Sequence, residues 1–120
     1  MITFEWDENK NSINKKKHKI SFEEAKTVFY DSNALLISDP EHSSDEDRFI
    51  LLGLSKNLNL LVVCHCYRCS ETVIRIISAR KATKNETKQY NEGVWDESRI
   101  RFFKSKEKPL CKETEKADYY

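Results

Sequence analysis

The sequence has little glycine and little proline, with two of each among 120 residues. Such low numbers exclude a collagen-like chain and a loop-rich scaffold. Disorder is also excluded, because hydrophobic residues make up 38% of the chain and can form a core. A chain of this length has room for one modest core but not for two, so we expect a single globular unit.

No segment is suited to cross a membrane or to act as a signal peptide. The longest apolar run, residues 58–66, is interrupted by Asn59 and His65 and is too short to span a bilayer. The N-terminal MITFEWDE carries acidic residues where a signal peptide has basic ones. We therefore expect a cytoplasmic protein with no membrane partner.

An excess of charge of one sign is absent from the whole chain but present in parts of it. The 21 basic and 20 acidic residues give a net charge of +1, which does not indicate a nucleic-acid partner. Residues 39–47 carry five acids and no base, whereas residues 60–90 carry six bases against Glu71 and Glu86. Any basic surface must therefore come from the second of these segments.

The cysteines are too poorly spread to form a disulfide framework. Three of the four, Cys64, Cys66 and Cys69, lie within six residues, and Cys111 is remote from them. Cys66 and Cys69 have the spacing of half a zinc site, but the sequence contains no second Cys/His pair. In a redox motif of this spacing the two cysteines lie at the start of a helix, whereas Cys66 and Cys69 lie where a predicted strand continues into a turn. We therefore expect reduced buried thiols, no metal and no cofactor.

Hydrophobic periodicity predicts an α+β fold with one central sheet. Asp7 is suited to cap a first helix, and Ser21 and Thr83 each open a capping box. The sequence after residue 95 has few aliphatic residues, so we expect one domain over residues 1–95 and a mobile or weakly docked tail over residues 96–120. Predicted helices cover residues 8–17, 22–30 and 84–93; predicted strands cover residues 2–6, 34–38, 48–54, 60–67 and 72–79, with the last three antiparallel.

Charged side chains interrupt the apolar strands of the predicted sheet. His65 alternates with Leu61 and Val63, and Arg75 and Arg80 lie in the strand that follows. Their odd separation places these two arginines on opposite faces unless a bulge intervenes. Taken singly, a strand histidine is usually structural and a strand arginine usually faces solvent. Together, they suit cleavage of an RNA phosphodiester, because RNA supplies its own 2′-hydroxyl nucleophile and His, Arg, Lys and Tyr can act without metal.

Several motifs occur in the order and spacing of a known family. The chain resembles the BrnT family of toxins from type II toxin–antitoxin systems over about three quarters of its length, residues 4–90. The resemblance implies a metal-independent ribonuclease that inhibits translation by cutting RNA. It implies a RelE-like fold in which a small antiparallel sheet is packed by two N-terminal helices and one C-terminal helix. The motifs are W-D-x-x-K from Trp6, K-H at Lys17, S-F-E-E-A from Ser21, H-S-x-x-E-x-R from His42 and R-I-I-S-A-R-x-A-T from Arg75.

The resemblance also implies a partner protein. BrnT toxins pair with a BrnA antitoxin that has a ribbon-helix-helix DNA-binding part. Because such antitoxins dimerise, we expect a heterotetramer of two toxins and two antitoxins, in which this chain makes no direct DNA contact. A second hypothesis stays open: the chain is a non-catalytic module of the same fold that only binds RNA or a protein partner.

We predict catalytic roles for three residues and RNA contacts for five more. Arg80 and His65 are expected closest to the phosphate, and Tyr90 is expected to stack on a base or donate a proton. Lys10 and His18 are equally compatible with an ordinary helix surface, and Arg48 with an ion pair to a neighbouring acid. The predicted catalytic residues are His65, Arg80 and Arg48; the predicted RNA-binding residues are Lys10, His18, Arg68, Arg75 and Tyr90.

Overall fold

The computed structural model describes residues 2–38, 48–68 and 72–94, and these residues form an α+β fold. The predicted class and the predicted order of elements are confirmed. Asp7, Ser21 and Thr83 each accept hydrogen bonds from backbone N–H groups of the helix that follows, as expected of N-caps. The helices are α1 Glu8–His18, α2 Phe22–Thr27 and α3 Lys84–Glu92, and a 3₁₀ turn, Val28–Tyr30, follows α2; the strands are β1 Thr3–Glu5, β2 Leu35–Ser38, β3 Arg48–Leu54, β4 Leu60–Arg68 and β5 Val73–Lys81.

The five strands form one sheet in the order β1-β5-β4-β3-β2. Strands β3, β4 and β5 are antiparallel neighbours as predicted, and β2 pairs antiparallel with β3. Strand β1 instead runs parallel to β5, so the sheet is mixed rather than wholly antiparallel. Turn signals predict only the pairing of strands that are adjacent in sequence, and β1 meets the last strand of the chain.

Side chains alternate across the strands and divide the sheet into two faces. The α2 face packs against α2 and the 3₁₀ turn. The α3 face packs against α3, which contributes Tyr90. The buried strand residues of the α2 face are Leu51, Leu61, Val63, Ile74, Ile76 and Ala79. Those of the α3 face are Ile50, Leu52, Val62, Cys64, Cys66 and Ile77.

A bulge interrupts the pairing of β4 with β5. Cys64 pairs with Ser78, whereas the next residue, His65, pairs with Ile76. Ile77 is therefore the extra residue on β5 and has no partner on β4. Such an insertion shifts the side-chain alternation of the bulged strand by one residue.

The bulge decides where the arginines of β5 point. Ile76 and Ala79 both lie on the α2 face, although a regular strand would place residues three apart on opposite faces. Arg75 precedes the bulge and Arg80 follows it, so the same shift places both on the α3 face. The sequence predicted that Arg75 and Arg80 would share a face only if a bulge lay between them, and the structure contains that bulge.

Helix α1 covers the part of the β5 edge that β1 leaves unpaired. Strand β1 pairs with β5 only as far as Arg75. Beyond that point the Asn14 amide donates to the Ala79 carbonyl at 2.8 Å and accepts from the Ala79 N–H at 3.2 Å. The same amide nitrogen donates to the Ile20 carbonyl at 2.9 Å. One buried side chain thus satisfies the backbone groups that a neighbouring strand would otherwise satisfy.

Three sequence predictions fall outside the described residues: the acidic loop over residues 40–47, any role of Cys69 and Cys111, and the tail over residues 96–120. The division into a domain over residues 1–95 and a tail therefore stays a prediction. Within the described ranges, no helix is long and apolar enough to cross a bilayer.

Candidate functional site

Two arginines and one glutamate stand in a single row across the sheet. Arg48 of β3 pairs with Cys66 of β4, Cys66 pairs with Arg75 of β5, and Arg75 pairs with Glu5 of β1. Directly paired residues point to the same side, so the row lies on the α3 face with Cys66. Because neighbouring strands are about 4.8 Å apart, the Cα atoms of Arg48 and Arg75 are about 10 Å apart.

Arg68 adds a third cation to this end of the sheet. It lies two residues beyond Cys66 on β4 and therefore points to the same face. Its Nε atom is 3.3 Å from Oε2 of Glu5, and the same oxygen accepts a 3.1 Å hydrogen bond from Nη1 of Arg75. We call Arg48, Arg68 and Arg75 the arginine cluster. The cluster brings three positive charges to one end of the α3 face, and among the described residues the carboxylate of Glu5 contacts two of them.

The members of the arginine cluster differ in their access to solvent. Arg48 is buried, whereas the side chains of Arg68 and Arg75 are 50% and 32% exposed. Glu5 is 40% exposed. Two guanidinium groups can therefore meet an incoming phosphate, for which their planar donor geometry is well suited.

Arg80 also lies on the α3 face, but it is distant from the cluster. Its β4 neighbour is Val62, four residues from Cys66, which corresponds to about 13 Å along the strand. Both terminal nitrogens of Arg80 donate 2.9 Å hydrogen bonds to the carboxylate of Glu86 in α3. The arginine is 14% exposed and the glutamate 4%. Arg80 thus joins β5 to α3 through a largely buried ion pair.

The charge of Glu86 is maintained in spite of its burial. Burial by itself raises the pKa of this carboxyl group. The hydrogen bonds and the charge of Arg80, together with the N–H and hydroxyl groups of Thr83, outweigh that effect and lower the pKa below its ordinary value. The Thr83 N–H donates to Oε1 of Glu86 at 2.8 Å, which completes the capping box predicted from the sequence.

His65 lies on the opposite face, away from Arg80 and from the arginine cluster. It is fully buried, and its Nδ1 atom is 3.4 Å from the carbonyl of Val63. Nε2 has no hydrogen-bond partner in the described part of the chain. Burial lowers the pKa of His65 to about 4, so the ring is neutral at pH 7. The rings around it belong to Phe29, Phe49 and Tyr67. The structure thus places His65 and Arg80 on opposite faces of the sheet, and a catalytic role for His65 stays a prediction.

Tyr90 is engaged in a hydrogen bond within the fold. Its hydroxyl group donates to Oδ2 of Asp31 at 2.7 Å, and the same oxygen accepts from the Leu54 N–H at 2.8 Å. Burial raises the pKa of Tyr90 to about 12, and the Asp31 carboxylate adds to this effect. The phenol links α3 to the segment before β2. An RNA contact by its hydroxyl group would require this bond to break.

Lys10 and His18 lie on α1, which runs beside the β5 edge. Both are half-buried. Their separation of eight residues corresponds to about 12 Å along the helix axis, so they do not converge on one phosphate. Their predicted contacts with RNA stay predictions.

Two carboxylates that contact arginines, those of Glu5 and Glu86, were not predicted as their partners from the sequence. Glu5 is 70 residues from Arg75, and only the parallel pairing of β1 with β5 brings them together. Glu86 was expected as a capping-box residue but not as the partner of Arg80. Strand alternation predicts the face on which a side chain lies, but it does not identify the neighbouring strand.

The described cysteines agree with the expectation of buried thiols. Cys64 and Cys66 are buried on the α3 face. Within residues 2–38, 48–68 and 72–94, no group of three or more His, Cys, Asp or Glu side chains is placed to hold a metal ion.

Comparisons with known proteins identify the family. The crystal structure of the Brucella abortus ribonuclease toxin BrnT is similar to this fold, with a TM-score of 0.55 and 21% sequence identity over 70% of this chain and 100% of that chain. A comparison with curated proteins found no match. Residues 6–86 match the family model described as the ribonuclease toxin BrnT of type II toxin–antitoxin systems. Because that match covers more than half of the sequence, the chain belongs to the BrnT family of ribonuclease toxins.

Proposed function

We propose that this chain is a cytoplasmic endoribonuclease that cleaves RNA by attack of the 2′-hydroxyl group, needs no metal ion, and thereby inhibits translation. Family membership supplies the general activity, that of a ribonuclease toxin. The observation that carries the finer proposal is the arginine cluster on the α3 face. Arg48, Arg68 and Arg75 lie on three neighbouring strands at one end of the sheet.

The arginine cluster matches the charge that develops during this reaction. When the 2′-oxygen attacks phosphorus, negative charge accumulates on the non-bridging oxygens of the phosphorane. Guanidinium groups keep their charge at any working pH and donate paired hydrogen bonds to phosphate oxygens. The three arginines lie on neighbouring paired strands, so their backbones are held in register before the substrate binds. In this proposal the exposed Arg68 and Arg75 contact the phosphate, and the buried Arg48 strengthens the local positive potential.

The other predicted catalytic residues receive structural roles in this proposal. Arg80 positions α3 through Glu86, because both of its terminal nitrogens are used in that ion pair. His65 fills the core on the α2 face, where RNA has no access to a fully buried ring. Loss of toxicity on mutation of either residue would then follow from a damaged fold.

The type II family implies a protein antitoxin as partner. We propose a BrnA-type antitoxin with a ribbon-helix-helix part, in a heterotetramer of two toxins and two antitoxins. Dimerisation of such DNA-binding parts supports the stoichiometry, and DNA contacts would belong to the antitoxin. Coexpression followed by native mass spectrometry measures the composition directly. A complex with one toxin and two antitoxins would contradict the proposed stoichiometry.

The test of the activity is incubation of the purified chain with a defined RNA in excess EDTA. We expect fragments that carry 2′,3′-cyclic phosphate and 5′-hydroxyl ends, and we expect a cell-free translation reaction to stop when the protein is added. Arg75→Ala should slow cleavage by about 10²-fold, because it removes one donor to the phosphorane. The matched control is Lys56→Ala, which removes an exposed positive charge from the β3–β4 turn at the other end of the sheet.

Three outcomes separate the hypotheses. Cleavage that requires an added divalent cation would contradict the metal-independent mechanism. RNA binding without any fragments would favour the non-catalytic binding module, and in that case Arg75→Ala would weaken affinity alone. Equal slowing by Arg75→Ala and Lys56→Ala would mean that the arginine cluster is not the site.

A further inference from the structure

We infer that Glu5 is the general base of the RNA cleavage reaction, the residue that removes the proton from the 2′-hydroxyl group. This inference rests on the proposed function and adds a residue to the same site. It starts from the position of Glu5 in the row on the α3 face, directly paired with Arg75. A base must lie within hydrogen-bond reach of the hydroxyl whose oxygen attacks the phosphate that the arginines hold.

The two oxygens of Glu5 have different surroundings. Oε2 accepts from Nη1 of Arg75 at 3.1 Å and lies 3.3 Å from Nε of Arg68. Oε1 accepts no hydrogen bond from the described residues, and the side chain is 40% exposed. The arginines thus fix the carboxylate in place through one oxygen, while the other stays available to a substrate hydroxyl group.

The two neighbouring acids of the N-terminal segment are engaged in different contacts. Oδ1 of Asp7 accepts from the Asn9 and Lys10 N–H groups as the cap of α1. Glu8 accepts from the Trp6 indole nitrogen at 2.8 Å and from the Asn11 amide at 3.3 Å. Glu5 is the acid of this segment that faces the arginine cluster.

Two groups that could otherwise transfer the proton, His65 and Tyr90, are not available in their described positions. His65 is fully buried on the α2 face. The hydroxyl group of Tyr90 donates to Asp31 and its pKa is raised to about 12. A carboxylate is an established type of general base, and Glu5 combines exposure with contact to the phosphate-binding residues.

The proposed step balances in protons and bonds. The ionised Glu5 carboxylate takes the proton from the 2′-hydroxyl group, and the 2′-oxygen forms a bond to phosphorus. The bond between phosphorus and the 5′-oxygen breaks, and the leaving oxygen takes a proton from water. The products are a 2′,3′-cyclic phosphate and a 5′-hydroxyl group. Glu5 then returns its proton to solvent and is ready for the next cycle.

The test compares the full-length wild-type chain with Glu5→Gln. The glutamine keeps the size of the side chain and an oxygen that can accept from Arg75, but it cannot serve as a base. We expect kcat to fall by about 10²- to 10⁴-fold. The Kd for an RNA with a 2′-deoxy group at the cleavage position should stay equal or decrease, because a negative charge near the phosphate is removed. Glu92→Gln, at the exposed end of α3, is the matched control and should leave both values unchanged.

A second substrate distinguishes a base from an acid. In an RNA with a sulfur atom at the bridging 5′ position, the leaving group needs no proton. We expect the defect of Glu5→Gln to persist with this substrate, since the 2′-hydroxyl proton must still be removed. Recovery of the wild-type rate would mean that Glu5 protonates the leaving group, and it would overturn the assignment.

The remaining outcomes also decide the question. If the wild-type chain does not cleave RNA, the proposed function and this inference both fail. If the wild-type chain cleaves and Glu5→Gln cleaves equally fast, only the assignment of Glu5 fails. A purely structural role would lower the melting temperature and weaken RNA binding together with kcat. Should Glu5→Gln not fold, Glu5→Asp retains the charge but withdraws the carboxylate by one methylene, and an unchanged kcat in that variant would contradict a positioned base.

Discussion

Arg80 and Glu86 are joined at both ends of the guanidinium fork, with Nη1 on Oε1 and Nη2 on Oε2, each at 2.9 Å. The pair is largely buried and connects the end of β5 to the first turn of α3. Removing one member of such a pair leaves the other charge in the protein interior without compensation. Arg80 therefore anchors the first turn of α3 to the end of β5, in addition to the contacts that Tyr90 makes at the other end of the helix.

Replacing Arg80 by alanine should lower the free energy of unfolding by about 3 kcal/mol, because the Glu86 carboxylate stays buried without its partner. Urea unfolding measures the change. The control is Arg68→Ala, whose half-exposed ion pair with Glu5 should be worth less than about 1 kcal/mol. Unchanged stability of Arg80→Ala would show that the ion pair does not hold α3 in place. The experiment also decides whether a loss of toxicity in this variant reflects chemistry or folding.

The free energy of unfolding of the wild type should decrease between pH 7 and pH 5, and replacing His65 by leucine should make this decrease much smaller. Burial lowers the pKa of His65 to about 4 in the folded chain, whereas histidine in an unfolded chain titrates near 6.5. As the pH falls below 6.5, the unfolded chain binds a proton that the folded chain rejects, so the folded state loses stability until about pH 4. For the wild type this amounts to about 2 kcal/mol between pH 7 and pH 5.

Urea unfolding of both proteins at the two pH values measures this effect. Asn9→Ala is the control, because it removes no titratable group from an exposed position of α1 and should leave the pH dependence of the wild type in place. An equal loss of stability in His65→Leu and in the wild type would contradict the assignment of the buried neutral ring.

Local signals were sufficient to predict the elements of this fold. The caps Asp7, Ser21 and Thr83 placed three helix starts correctly, because a cap depends only on residues within one turn. The alternation of His65 with Leu61 and Val63 correctly indicated its apolar face. The catalytic role predicted for His65 had less support than its position in the strand. The type of a residue indicates which chemistry it can perform, but burial decides whether a substrate can reach it.

The features that assemble the site depend on long-range pairing. The bulge at Ile77 changes the face of every later residue in β5, and no glycine or other turn signal marks it in the sequence. The parallel pairing of β1 brings Glu5 to Arg75 across 70 residues. The sequence therefore predicted that arginines would bind the phosphate. It did not predict which arginines would lie close together or which acid would contact them.

Replacing Tyr90 by phenylalanine should cost about 1 kcal/mol of stability, since one hydrogen bond to Asp31 is lost. The Asp31 carboxylate keeps its bonds from the Leu54 and Asn33 N–H groups. Cleavage of RNA should continue at the wild-type rate, because the hydroxyl group is used within the fold. Denaturation and cleavage assays on the same preparation measure both effects. Complete loss of cleavage in a folded Tyr90→Phe protein would instead support the original expectation that this hydroxyl donates a proton.

Replacing Asn14 by alanine should destabilise the protein by about 3 kcal/mol. The change leaves the N–H and the carbonyl group of Ala79 without their partner at the β5 edge, and it also removes the bond to the Ile20 carbonyl. Each buried backbone group that loses its hydrogen bond costs roughly 1–3 kcal/mol, and partial access of water limits the total.

Asn14→Asp tests the same point more sharply, because a carboxylate can accept from the Ala79 N–H but repels the two carbonyl oxygens to which the amide donates. We expect Asn14→Asp to be destabilised as well, whereas Asn9→Ala, at an exposed position of α1, should unfold at the wild-type urea concentration. Stability of Asn14→Asp equal to the wild type would mean that the donated bonds contribute little and that apolar packing alone holds α1 against the sheet.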